Sequence, residues 1–164
     1  AKILADPAAS EFQKAKACQR AGELGAAEAI PALGALLADE KLGAYARYGL
    51  EPMAAPAAGE VLRAALGKLS GNLQLGVIAS LGKRRDTQAL APLLRLMQKA
   101  DPPLAQAAAA AVGSIGTPEA ARALQAALAK SSGQTQIVLA DAALVCAERF
   151  LADGRRDEAL ALYS

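Results

Sequence analysis

The chain has 164 residues, enough for one domain with a sizeable core, and 54% of them are hydrophobic. Alanine dominates that fraction, aromatic residues make up only 3%, Trp and His are absent, and the net charge is +2. This composition points to closely spaced helices. It speaks against a basic nucleic-acid-binding face and against histidine-ligated metal sites, and its apolar runs, such as Ala107 to Val112, are too short to cross a membrane.

The pattern of apolar residues and turn signals predicts helix pairs over about 7–38, 41–69, 72–99, 102–130 and 134–164. Asp6-Pro7 reads as a capping carboxylate followed by a first-turn proline. Phe12, Ala15, Cys18, Ala21 and Leu24 then keep helical spacing as far as Gly25. A second helix spans Ala27 to Ala38, with Pro31 near its first turn. Lys41 to Met53 follows, with a stripe of Leu42, Tyr45, Ala46 and Leu50; one of Tyr45 and Tyr48 is expected in the core. Ala57 to Leu69 turns Val61, Leu62, Leu66 and Leu69 inward. Ser70-Gly71-Asn72 makes a turn, with Asn72 a candidate cap for the helix carrying Val77, Ile78 and Leu81.

That helix is expected to close at Leu81-Gly82, with Lys83, Arg84 and Arg85 in the turn and Asp86 as the next N-cap. Leu90, Leu93, Leu94 and Met97 face inward, and Pro92 requires a late start or a kink. Asp101-Pro102 and Thr117-Pro118 open two further helices. The first carries Leu104, Ala108, Val112 and Ile115 to Gly116, and the second runs to Lys130. Ser131-Ser132-Gly133 leads into a long helix with Ile137, Ala140, Leu144, Ala147 and Leu151 on one face. Arg155-Arg156-Asp157 opens the last helix. Cys18 and Cys146, without CxxC or metal-ligand spacing, read as buried free thiols.

The helix ends Leu24, Leu50, Leu81, Ile115 and Leu151 recur, three of them followed directly by Gly and Leu151 by Gly three residues on, and each is trailed by a helix with an alignable Leu: Leu33, Leu62, Leu94, Leu124 and Leu160. Gly82–Leu93 and Gly154–Tyr163 match best. A helix pair of this size cannot bury its apolar faces alone, so neighbours must stack. Gly25 to Asp39 (GAAEAIPALGALLAD) resembles the bacterial HEAT-like repeat, and Gly116 to Lys130 is a weaker copy; the second pair departs most, with its Pro-rich linker. The resemblance covers about Phe12 to Tyr163. It implies an all-α, right-handed alpha-alpha superhelix of about five HEAT-like helix pairs in one domain over 1–164. The chain also resembles extracytoplasmic bacterial HEAT-repeat proteins, whose arrays sit inside long secreted chains. It lacks an initiator Met and stops inside a helical pattern, so a piece of a longer chain is expected, and the resemblance alone implies that this chain is extracytoplasmic.

Some HEAT-like proteins are di-iron hydroxylases built on His-Glu ligand pairs, and the absence of His removes that class. DNA glycosylases of this kind use aromatic residues in a basic groove, which zero Trp and a charge of +2 oppose. Nothing local marks a bilin-lyase site. The cysteines have no His to activate them, the glycines fall one per turn rather than in a phosphate loop, and Asp6, Asp86, Asp101 and Asp157 each have a capping role available. The expected protein is therefore non-enzymatic and holds no cofactor or metal.

Lys83, Arg84, Arg85, Arg155 and Arg156 all follow helix C-termini, where cations are favourable in any case; they are also candidates for a basic edge that docks an acidic partner. In HEAT-like arrays the second helices line the concave face. That placement implies groove-facing roles for Arg63 and Arg95, with Arg122 and Lys99 nearby. The expected function is a protein–protein interaction or scaffold module presenting a concave surface to an unknown protein partner or to neighbouring domains of the same chain, with no nucleic acid and no membrane. The alternatives are a structural spacer without its own ligand and a lyase-like accessory protein.

Overall fold

The structure, a computed structural model, describes residues 1–98 and 101–163, so the expected end of the third helix pair at Lys99 lies outside the described residues. Among those described, every regular element is helical, as expected. The contacts divide the chain into two compact units, 1–84 and 85–164. The first contains α1 (Lys2–Ala5), α2 (Glu11–Leu24), α3 (Ile30–Leu36), α4 (Gly43–Leu50), α5 (Pro56–Leu66) and α6 (Gly71–Lys83). The second contains α7 (Leu90–Met97), α8 (Pro102–Ile115), α9 (Pro118–Leu128), α10 (Gly133–Ala152) and α11 (Arg156–Tyr163). In unit 1, α2, α4 and α6 pack in succession, as do α3 and α5; in unit 2, α8 packs on α7, α9 and α10, and α10 on α9 and α11.

Local chemistry explains most helix ends. Asp6-Pro7 does not start α2. The Asp6 carboxylate accepts the Ala8 N–H at 2.8 Å, which closes a turn. The start is Ser10: its hydroxyl accepts the Gln13 N–H, and the Gln13 side chain accepts the Ser10 N–H at 2.8 Å. This reciprocal box satisfies two otherwise unpaired donors where Asp6 satisfies one. Asp86 caps as expected, accepting from the Gln88 and Ala89 N–H groups, and Thr117 accepts from Ala120. Asp101 occupies an N-cap position without a side-chain bond, and Asn72 lies inside the first turn of α6, after Ser70. α3 and α7 are each preceded by a 3-10 turn, Ala27–Ala29 and Thr87–Ala89. That late start puts Pro31 and Pro92 in the first α-turn, where a missing N–H costs nothing.

Gly25, Gly116 and Gly154 sit in the left-handed region just past α2, α8 and α10. Gly82 does not close α6. It is buried one residue before the end, and the left-handed residue is Arg85, at φ 51°. Counting back three from Gly25, Arg85 and Gly116 reaches Gly22, Gly82 and Gly113, all buried. The recurring Leu-Gly phrase therefore merges two different glycines, one that ends the helix and one on its packed face.

The packed-face glycines let first helices meet backbone to backbone. A Cβ built on Gly22 would lie 2.8 Å from the Gly49 carbonyl oxygen, and one on Gly49 would lie 2.7 Å from that of Cys18. A Cβ on Gly113 would fall onto the Ala142 carbonyl. This crossing lies on the inward face of α10. Ile137, Leu144 and Leu151, expected inside, are 45–56% exposed, while Leu139, Ala142, Ala143, Cys146 and Phe150 are buried. The helix carries two apolar stripes, and the buried one includes Ala142, whose backbone lies against Gly113. Phe12, Leu24, Tyr45 and Tyr48 are likewise exposed, against expectation.

The second helices repeat in a register of their own. Ala29 and Leu33, Ala58 and Leu62, Ala89 and Leu93, and Ala120 and Leu124 are all fully buried, spaced alike in each helix. The counterpart of Leu33 in α7 is thus Leu93 rather than Leu94. In α11, Ala159 is buried while Leu160 is exposed.

Gly113→Ala is expected to lower unfolding stability in urea by roughly 1–3 kcal/mol, because α8 and α10 must separate to admit the methyl. Gly67→Ala, in open space at a helical φ, should change stability by no more than about 1 kcal/mol. Equal stability of the two variants would contradict the crossing geometry.

Candidate functional site

The basic turn at residues 83–85 is held by the chain's own groups. Arg84 Nη1 donates to the carbonyls of Leu50, Glu51 and Met53 at 2.6–2.9 Å. These belong to the C-terminal end of α4, whose last carbonyls lack intrahelical donors. Lys83 Nζ pairs at 2.7 Å with Glu51, whose side chain is only 8% exposed, and this hydrogen bond raises the Lys83 pKa. Glu51 also accepts from the buried Ser80 hydroxyl at 2.8 Å, and Ser80 and the Gly76 carbonyl accept from Arg47. The Arg47 guanidinium occupies the space where a side chain on Gly76 would sit.

Arg85 does for α8 what Arg84 does for α4. Its Nε donates to the Ile115 carbonyl at 3.3 Å, and its guanidinium grips both carboxylate oxygens of Asp153. A non-glycine residue in the left-handed region costs about 1 kcal/mol, which these bonds are of a size to offset even after screening at a one-third exposed pair. The hydrogen bond from Arg85 holds the Asp153 carboxyl below its usual range. Arg155 stacks over the Phe150 ring and pairs with Glu158. Arg47 and Glu51, which both bond Ser80 beside the clamp in unit 1, were not singled out in the sequence; a cation and an anion four residues apart at a helix end are the signal that could have found them.

The second helices are different. Each exposes the positions two before and two after its buried Leu: Pro31 and Ala35, Glu60 and Ala64, Ala91 and Arg95, Arg122 and Ala126. Arg63, immediately after Leu62, is half-buried and engaged within the chain. Arg95 and Arg122 are exposed on α7 and α9 and have no hydrogen-bond or ion-pair partner among the described residues. Lys99 lies outside the described residues.

Beside Arg95 and Arg122, unit 2 contains a half-open cleft of about 830 Å³. Leu94 and Met97 of α7, Ala105 and Ala109 of α8, Ala123 and Ala127 of α9, and Val138 and Leu139 of α10 form its apolar wall. Lys130, Ser131, Gln134 and Thr135 line it where α9 passes into α10.

Residues 59–145 match the family described as HEAT repeats. The chain belongs to the HEAT-repeat family. No curated protein matches it. HEAT repeats generally mediate protein–protein interaction or scaffolding, and the family is generally non-enzymatic. The Ala-x-x-x-Leu register of the second helices is this chain's version of the repeat. Both thiols of this HEAT-repeat chain are free and buried; desolvation pushes Cys18 up to about 11 and raises Cys146, so neither is poised as a thiolate. Among the described residues, no group of three His, Cys, Asp or Glu could hold a metal ion, and no helix is long and apolar enough to cross a membrane.

Two expectations follow for the clamps. Arg84→Ala should destabilise the protein by roughly 1–3 kcal/mol, since three carbonyls lose a charged donor, whereas Arg95→Ala should stay within about 0.5 kcal/mol of wild type in the same urea titration. A harmless Arg84→Ala would mean the turn is not a clamp. The Asp153 pKa is depressed in the folded protein, so the pair stabilises it above the unfolded carboxylate pKa, and that contribution fades as pH falls through the folded value. Arg85→Gln should raise the Asp153 midpoint measured by NMR; an unmoved midpoint would show that Arg85 is not its cause.

Proposed function

We propose that this HEAT-repeat chain is a non-enzymatic docking module that binds an acidic protein surface through the exposed faces of its second helices, with Arg95 and Arg122 as the principal contacts. The observation that carries this is the contrast among its cations. Arg84 and Arg85 spend their donors on the protein's own carbonyls and on Asp153. Arg95 and Arg122 stand at exposed positions where the equivalent residues of other second helices include alanine, and no partner among the described residues answers them. Exposed guanidinium groups present bidentate donors suited to carboxylates on another molecule. Arg63, already engaged inside the fold, is a supporting contact at most, and Lys99 extends the same basic run in sequence. The groove-forming arrangement of second helices in HEAT repeats supports a partner laid along these helices rather than seated in one pocket.

The test is affinity capture from extracts of the source organism, followed by calorimetry with the partner identified. The double variant Arg95→Glu/Arg122→Glu should weaken binding at least tenfold while the circular-dichroism melt stays unchanged, and wild-type affinity should fall as salt rises. Undiminished binding by the charge-reversed protein would overturn the reading.

A further inference from the structure

The cleft of unit 2 occurs where the equivalent helices of unit 1 are packed together. There α3 meets α5, and a Cβ on Gly34 would lie 2.7 Å from Val61 Cγ1. Counting from the buried Ala and Leu of each helix, the counterpart of Val61 in α9 is Ala123 and the counterpart of Gly34 in α7 is Leu94. Both line the cleft. The glycine that lets α3 and α5 close up in unit 1 is replaced by Leu94 in unit 2, while the facing position is cut back to the methyl of Ala123, and Ala105, Ala109 and Ala127 keep the remaining walls low. A space of about 830 Å³ falls within the roughly 300–1,000 Å³ range of small-molecule sites.

Its polarity is graded. Leu94, Met97, Val138 and Leu139 make the wall apolar, whereas polar groups gather at the α9–α10 junction, where Lys130 is the one cation among the described residues of the lining. Lys130 is exposed and has no ion-pair partner among the described residues. No carboxylate is among the described residues that line the cleft. An apolar slot with a positive charge at one end complements an aliphatic chain with a negative one.

We propose that the cleft between α7, α8, α9 and α10 binds an aliphatic carboxylate of fatty-acid type, its hydrocarbon chain along Leu94, Met97, Val138 and Leu139 and its carboxylate at Lys130. This activity is independent of the protein docking assigned to Arg95 and Arg122, since neither arginine lines the cleft. The apolar chain replaces water against the wall, which drives binding in proportion to the area covered. Lys130 sets the orientation and discriminates a carboxylate from an alcohol of equal length.

The experiment is calorimetric titration of the purified chain with dodecanoate below its micelle concentration, with 1-dodecanol as the uncharged probe. Wild type should bind dodecanoate with saturable one-to-one stoichiometry, and at least fivefold more tightly than dodecanol. Lys130→Glu should remove that preference and leave dodecanol affinity unchanged. Ala123→Leu and Ala127→Leu, at half-buried lining positions, should each abolish binding of both probes by filling the cleft, with the melting temperature held or raised. Absence of saturable dodecanoate binding overturns the proposal, as does binding that survives both leucine variants or a dodecanoate preference that survives Lys130→Glu. Binding of an apolar helical peptide that dodecanoate fails to displace would assign the cleft to a protein segment instead. Arg95→Glu/Arg122→Glu should bind dodecanoate like wild type, so loss of partner docking and loss of the ligand are read separately.

Discussion

Backbone contact between successive first helices is the constraint on which the rest of this protein depends. Gly22 against Gly49, Gly49 against Cys18, and Gly113 against Ala142 leave no room for a side chain at the crossing. Helices this close exclude water with very little side-chain volume, which is how a chain with 3% aromatic residues and no Trp closes a core. The dominance of alanine in the composition follows from that geometry. The same geometry seats the backbone of α10 at Ala142 directly on Gly113, where α8 has no side chain to hold it off.

Close helices also create a polar problem. The C-terminal carbonyls of α4 and α8 end near neighbouring helices, where water alone cannot serve them. Arginines of the turn after α6 answer both: Arg84 reaches the carbonyls of Leu50, Glu51 and Met53, and Arg85 reaches that of Ile115. Two consecutive residues thus clamp one helix end in each unit. The left-handed backbone at Arg85 is the local cost of aiming its side chain at Ile115 and Asp153. Cations used in this way are withdrawn from the surface, whereas Arg95, Arg122, Lys130 and Arg156 of unit 2 are exposed and have no hydrogen-bond or ion-pair partner among the described residues.

Much of the fold was legible because punctuation and periodicity are local. Asp86, Thr117, Gly25, Gly116 and Gly154 perform the capping roles their types suggest. The register was harder to read. Leu-Gly occurs both where a helix ends and, as Leu81-Gly82, where it packs, and only the backbone angle at Arg85 separates the two. Ala-x-x-x-Leu, beginning at Ala29, Ala58, Ala89 and Ala120, was visible in the sequence yet hidden among other alanines, and the neighbouring Leu93 and Leu94 offered two alignments. Ile137, Leu144 and Leu151 form as good a helical stripe as the buried one, so periodicity alone could not choose between the faces of α10. The destinations of Arg84 and Arg85 were unreadable for a different reason. Their acceptors are backbone carbonyls some thirty residues away, and a carbonyl has no sequence signature. The cleft lies where Leu94 and Ala123 stand in place of the Gly34 and Val61 of unit 1, a difference that acquires meaning only once the repeat register is known.

Amide hydrogen exchange, resolved residue by residue, tests the central claim most directly. If backbone crossings hold each unit together, the slowest amides should cluster around Gly22 and Gly49 in unit 1 and around Gly113 and Ala142 in unit 2, and within each unit they should open at a common free energy. Fast exchange at those crossings, with the strongest protection lying instead in the second helices α3, α5, α7 and α9, would contradict it.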